Sequence, residues 1–284
     1  MKTPKRLLPL VEEGLIDSVL RQLMSGKEAT VYVVQSGTEI RCAKVYKEAQ
    51  QRSFRQAASY QEGRRVKNSR QARAMEKGSR YGRQMQEEAW QNAEVDALYK
   101  LANAGVRVPQ PFVCFEGVLL MELVKDASGQ VAPRLNDAPL DADLARHYHQ
   151  ILLQQVVLML CAGVIHGDLS QYNILIDANG PVIIDLPQAI DAASNTEAQN
   201  MLERDVSNLS NFFSMYAPEI ADTQYGKEIW QLYVAGLLTP NSVWTGHVLA
   251  DEHIADVAAV LQEIELARLE EEQRLERLRF AQMV

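Results

Sequence analysis

The stretch Ile165-His-Gly-Asp-Leu-Ser-Gln-Tyr-Asn-Ile-Leu-Ile176 decides how this chain is read. Before it, Asp141 to Ala162 carries apolar residues at helical spacing (Leu144, Ile151, Leu152, Val156, Leu160), and Gly163 ends the pattern. After it, Ile174–Ile176 and Val182–Ile184 flank Asp177-Ala-Asn-Gly-Pro181, which predicts a small hairpin with its tip at Asn179-Gly180. The polar stretch is therefore a loop held between rigid elements. Asp168 and Asn173 lie five residues apart in it, close enough to serve one phosphate centre. A carboxylate there can orient a hydroxyl and take its proton, and an amide oxygen can ligate a divalent cation. Seventeen residues beyond Asp168, Asp185 follows the apolar run Val182-Ile-Ile184. A carboxylate at the end of a buried strand is expensive to desolvate, and a metal ion beside phosphates would compensate it. Asp, Asn and Asp in this order form the catalytic half of a kinase-like phosphotransferase. Turn capping by Asp168 and Asn173 is the structural alternative.

The other half has to hold ATP. Cys42-Ala-Lys44-Val-Tyr46 places one lysine in an apolar strand, and alternation puts Cys42, Lys44 and Tyr46 on one face. Lys44 needs an anionic partner there, which nucleotide phosphates and a helix carboxylate would supply. Glu94 is the first choice for that carboxylate, with Glu88 and Asp96 behind it. A phosphate-covering loop belongs just upstream, at Met24-Ser-Gly-Lys-Glu-Ala-Thr30. Its single glycine, Gly26, gives less freedom than a glycine-rich loop, and the charge of Lys27 would offset that. An ordinary turn at Ser25-Gly26 is the alternative.

With 284 residues and 47% hydrophobic composition, the chain is large enough for two lobes and unlike a disordered sequence. It has no apolar run of about 20 residues, as a membrane helix needs. The first residues lack an apolar segment with a cleavage site, and Cys42, Cys114 and Cys161 stand apart among apolar neighbours. Together these predict buried reduced thiols and a soluble cytoplasmic protein with no membrane partner. The net charge of −8 is unevenly spread. Between Arg52 and Arg83 there are ten basic residues against Glu62 and Glu76, leaving −16 on the rest. That strip reads either as a site for a polyanion such as RNA or as a solvated insertion.

Along the chain, helical spacing predicts a helix over Val11–Leu23 (Leu15, Ile16, Val19, Leu20, Leu23). A β-hairpin is predicted from Thr30–Val34 and Ile40–Tyr46, a helix from Glu87–Ala104, and two strands around Glu116-Gly117. Asp126–Pro139 reads as a linker, and the remainder as helical. The fold class is α+β in two lobes: residues 1–124 with a basic insertion at about 47–86, then 125–255, then a charged helix at 256–284. In that last stretch Leu266, Leu269, Leu275 and Leu278 sit among mixed charges, which suits a solvated terminal helix.

The loop Met24–Tyr32, Ala43-Lys-Val-Tyr46, Ile165–Leu175 and Ile183-Ile-Asp-Leu-Pro-Gln-Ala189 together resemble the RIO family of atypical serine/threonine protein kinases. Trp90 and Glu94, Met121-Glu-Leu-Val124, Arg204-Asp205 and Phe212-Phe213 extend the likeness from about Ile16 to Phe213. The family's loop usually reads Ser-Thr-Gly-Lys-Glu-Ala, and its metal loop usually lacks the proline found here at Pro187. Few residues precede Ser25, so the resemblance points to the bacterial-type branch without a winged-helix domain. It implies a trimmed protein-kinase-like fold lacking the activation loop and peptide-binding helices. It also implies that Ser25, Gly26, Lys27 and Lys44 bind ATP with Glu94, that Met121, Glu122 and Val124 hold adenine, and that Asp168 is catalytic. Asn173 and Asp185 would bind Mg2+ or Mn2+, and Asp185 could take the phosphate transiently. The family's insertion carries autophosphorylated serines, which maps here to Ser53, Ser59, Ser69 and Ser79. Ala217-Pro218-Glu219 spells the end of an ordinary activation loop, but Thr196–Phe213 before it is helical in pattern, so it is read as coincidence. His166 is read as a brace for the catalytic loop.

The resemblance makes the chain an ATP- and metal-dependent serine/threonine kinase, autophosphorylating, or an ATPase, acting on a protein or on itself. One alternative is a small-molecule phosphotransferase of the aminoglycoside or choline kinase sort, which shares the His-Gly-Asp pattern. A second is an RNA- or ribosome-associated factor that uses ATP as a switch, and the basic strip favours it.

Overall fold

A computed structural model describes residues 2–26, 28–47 and 80–248. The first half is built on a five-stranded antiparallel sheet. Strands β1 (Ser18–Ser25), β2 (Ala29–Ser36) and β3 (Glu39–Tyr46) are followed by helix α2 (Arg80–Asn103) and by strands β4 (Pro111–Phe115) and β5 (Val118–Glu122), in the sheet order β1-β2-β3-β5-β4. The short helix α1 (Leu8–Glu12) precedes them. Leu7, Leu10, Ile16, Val19, Val34, Ala43, Val45, Val118 and Leu120 form an apolar cluster on one face of the sheet. On the other, Val33, Cys42 and Leu123 pack with Val31, Met121 and Val131.

The helix expected over Val11–Leu23 is not formed. Gly14, at φ 69°, closes a turn in which Leu15 and Ile16 both donate to the Leu10 carbonyl, at 2.8 and 3.2 Å. The chain then pairs with β2, beginning with the Asp17 amide on the Gln35 carbonyl at 2.8 Å. Register shifts between Val19 and Arg21 and between Gln22 and Met24 interrupt the two-residue alternation. An irregular strand with its apolar residues displaced in this way mimics helical spacing.

The second half is mainly helical. Helix α3 (Ala142–Cys161) starts at Asp141, whose carboxylate accepts from the Leu144 amide at 2.8 Å, and ends at Gly163 with φ 70°. Then come β6 (Val164–Ile165), the hairpin β7 (Ile174–Asp177) and β8 (Gly180–Ile183), β9 (Ile190–Asp191), α4 (Ala198–Phe213) and α5 (Tyr225–Val234). The arrangement is the α+β class that the residues predict, a five-stranded antiparallel sheet followed by a mainly helical half. Between Asp185 and α4 the described chain holds β9 and turns, with no long activation segment. Pro218 opens a short 3-10 helix over Pro218–Ile220, as a proline at a helix start should. The linker is well packed, with Leu135 fully buried and Lys125 bridging to Val131. After α5 the described chain runs through turns, so the helical reading of the remainder stops at Val234.

The thiols are another correction, since Cys42 is buried but Cys114 and Cys161 are exposed, all three free. Burial pushes the Cys42 thiol up to about 12, against the pull of Lys44. Residues 48–79, which hold Ser53, Ser59, Ser69, Ser79 and most of the basic strip, lie outside the described residues, as do Lys27 and the expected helix at 256–284.

Candidate active site

Strand β3 carries Lys44 on the same face as Cys42 and Tyr46, paired in register with Val31 on one side and Leu119 on the other. Its ammonium lies 2.5 Å from Glu94 Oε1 and 2.7 Å from Asp185 Oδ1, joining β3, α2 and the loop after β8. Of the three carboxylates weighed on α2, Glu94 is therefore the partner. Glu94 is 4% exposed, and its charge adds to burial in raising the pKa of the Tyr46 hydroxyl on β3. Burial alone would lower the Lys44 pKa, but Glu94 and then Asp185 overcome it and hold it well above its ordinary value. Lys44 is therefore held in its charged form.

Asp185 sits differently from the desolvated carboxylate expected, because its side chain is 45% exposed. Metal binding is thus not needed to offset burial. What marks the residue is its backbone, at φ 67°, in a region where a non-glycine side chain costs about 1–3 kcal/mol. The Lys44 charge holds its carboxyl below the usual carboxylate range, with burial opposing.

The backbone of the loop that carries Asp168 and Asn173 is fixed from three directions. His166 Nε2 is 3.1 Å from the Ile184 carbonyl, and its Nδ1 accepts from the Asp168 amide at 3.3 Å, so the neutral tautomer protonated at Nε2 fits both contacts. The Asn173 amide nitrogen donates to the Asp168 carbonyl at 2.8 Å, leaving its oxygen as acceptor. From α4, Asp205 accepts from the Gly167 amide at 2.7 Å and from the Leu169 amide at 2.9 Å. Arg204 donates to the Gly167 carbonyl, and Asn208 donates to that of Leu169 at 3.1 Å. Burial raises the pKa of Asp205, against His166 and the two amides. Asp168 itself is exposed at the surface of the loop, and its Oδ2 accepts from Gln188 Nε2 at 3.1 Å. Burial of the loop raises its pKa, with His166 and Arg204 opposing.

Reading the sequence did not assign these tasks to Asp205, Asn208 and Gln188. A signal for Asp205 was present: it shares the apolar face of α4 with Met201, Leu202 and Leu209, and a carboxylate on such a face needs partners. Lys47, also passed over, donates to the Gly26 carbonyl at 2.5 Å and braces the turn closed by the Gly26 amide on the Ala29 carbonyl at 2.9 Å. Ser25 reaches the Thr30 hydroxyl at 3.3 Å.

At the hinge, Met121 pairs with Cys42 within the apolar cluster that roofs this side of the sheet. Glu122 donates its amide to Gln110 at 2.9 Å, and the Val124 carbonyl accepts from Ala132 at 3.0 Å.

Residues 30–225 match the family model for the RIO domain, and the chain belongs to that family. It is 32% identical over 205 residues to the RIO-type serine/threonine-protein kinase Rio1 of Haloferax volcanii, covering 72% of this chain and 66% of that one. The protein of the same name from Thermoplasma acidophilum is 35% identical over 130 residues, 46% of this chain and 66% of its own. The serine/threonine-protein kinase RIO1 of Chaetomium thermophilum is 29% identical over 222 residues, 73% of this chain and 41% of its own. The chain thus spans from 41% to 66% of the length of these relatives.

Proposed function

We propose that this chain is an ATP- and metal-dependent phosphotransferase, a RIO-type serine/threonine kinase that phosphorylates a protein or itself, with ATP hydrolysis as a companion activity. The observation that carries the reading is the Lys44 ammonium bonded to both Glu94 and Asp185, residues 50 and 141 positions away. A buried cation held by a helix carboxylate beside a strained, half-exposed aspartate suits the phosphates of ATP.

In this reading Ser25, Gly26 and Lys27 cover the phosphates, Lys44 pairs with them, and Met121, Glu122 and Val124 seat adenine. Asn173 and Asp185 would hold Mg2+ or Mn2+. The donor set fits: both offer hard oxygens, and among the described residues no three His, Cys, Asp or Glu side chains cluster. Two protein oxygens, completed by phosphates and water, are a common Mg2+ arrangement. When bound, the ion neutralises charge on the phosphates. Asp168 orients the acceptor hydroxyl and takes its proton, and Asp185 is the residue we assign as a transient phosphate carrier.

Ser53, Ser59, Ser69 and Ser79 are the proposed autophosphorylation sites. The charge of Arg52–Arg83 supports a second partner, RNA or a ribosomal particle. The free thiols of Cys42, Cys114 and Cys161 support a reducing, cytoplasmic setting. We also propose that residues 1–124 hold the nucleotide and 125–255 supply the catalytic loop. Purified protein incubated with γ-labelled ATP and Mg2+ should label itself or release labelled phosphate. If it does neither, the reading is wrong.

A further inference from the structure

Asp168 is held twice, and the two grips differ. Its backbone is fixed within its own loop by His166 and Asn173. Its carboxylate is gripped from the other loop, by Gln188, in the single hydrogen bond that carboxylate makes among the described residues. Gln188 stands three positions after Asp185, in a segment made stiff by its neighbours. Leu186 and Pro187 are buried, and the Ala189 amide donates to the Leu186 carbonyl at 3.1 Å, closing a turn around Pro187 and Gln188. Proline fixes φ immediately before the glutamine, so little backbone freedom is left with which to lose the contact.

We propose that Gln188 is a positioning residue for phosphoryl transfer. Its amide ties Asp168 Oδ2, fixes the carboxylate's rotation and leaves Oδ1 to meet the acceptor oxygen. The choice of side chain matters chemically. An Arg or Lys at this place would orient the carboxylate but also stabilise its charge strongly and weaken it as a proton acceptor. An amide orients it without a counter-charge. Because Gln188 and Asp185 share one short turn, the orientation of the proton acceptor is also tied to the place of the proposed metal ligand. The inference rests on the phosphotransferase reading above.

The test compares Gln188→Met, which keeps the length and volume but has no N–H, with Gln188→Glu, which keeps the shape but presents a second carboxylate to Asp168. Label transfer from ATP gives kcat and KM, and calorimetry with Mg2+ and ADP gives nucleotide affinity. A misplaced catalytic group commonly costs up to about 10²-fold, so Gln188→Met should lower kcat roughly 10- to 100-fold. Gln188→Glu should lower it further, through repulsion. Both variants should bind Mg2+ and ADP within about twofold of wild type, because neither change removes a nucleotide contact. The glutamate variant separates orientation from packing, since a merely structural role would be met by an isosteric side chain. If both variants keep wild-type kcat while Asp168→Asn is inactive, the positioning role is refuted and the phosphotransferase reading stands. If kcat falls only in step with lost nucleotide affinity, Gln188 acts on the binding site and the proposal fails. If wild type transfers no phosphate at all, both readings fall together.

Discussion

Replacing Lys44 by Met removes the ammonium that lies 2.5 Å from Glu94 and 2.7 Å from Asp185. The two carboxylates would not suffer equally. The Asp185 side chain is 45% exposed, so water can solvate it and its loss is small. Glu94 is 4% exposed, and it is the Lys44 ammonium that offsets its burial. Breaking a buried pair on one side costs about 3–5 kcal/mol, against a typical domain stability of about 5–15 kcal/mol. The double variant Lys44→Met/Glu94→Gln leaves no buried charge and should recover much of that loss. Equilibrium urea denaturation followed by circular dichroism measures both. The sign with pH also follows. The folded pKa of Lys44 is raised, so the stability it contributes is complete below its unfolded value, about 10.4, and is lost as the pH climbs through the folded one. A Lys44→Met loss below about 1 kcal/mol, or a double variant no more stable than the single one, would refute the reasoning.

Asp185→Ala should weaken nucleotide binding with Mg2+ far more than without it, and calorimetric titrations showing equal losses would make Asp185 structural. Asp205→Asn keeps one acceptor oxygen for two buried amides, so it should cost about 1–3 kcal/mol in denaturation and lower label transfer up to about 10²-fold by loosening the loop. Because the folded pKa of Asp205 is raised, its contribution to stability is complete below an unfolded value of about 3.9 and falls as the pH rises through the folded one, a slope that Asp205→Asn should remove. Replacing Arg64, Arg65, Lys67, Arg70 and Arg73 by Ala should abolish salt-sensitive RNA binding while ATP binding persists, and absence of RNA binding by wild type even at low salt would remove the polyanion reading.

Where a residue's task is local, its sequence neighbourhood announces it. Lys44 stands out because a cation in an alternating apolar strand demands an anion, and the answer, Glu94, was already among three carboxylates on one helix. The catalytic loop is legible for a similar reason, since the α3 pattern, Gly163 and the β7–β8 turn bracket it. The misread elements depend on partners that only the fold supplies. Strand β1 carries leucines at helical spacing, and its irregular pairing with β2, whose register shifts break the two-residue alternation, overrides that spacing. Cys114 looked buried among apolar neighbours, but alternation along β4 turns it outward. Asp185 looked desolvated because the strand before it is buried, but the chain turns outward there at positive φ. Asp205 and Gln188 act on a loop 20 or more positions away, and no local pattern states that distance.

The central claim is that Asp168 serves phosphoryl transfer in a site already competent to bind ATP. It is tested most directly by comparing wild type with Asp168→Asn in γ-labelled ATP and Mg2+, with nucleotide binding measured on the same preparations. The account predicts that label transfer falls roughly 10²–10⁴-fold while nucleotide affinity stays within about twofold. An Asp168→Asn protein that labels itself at the wild-type rate would contradict it.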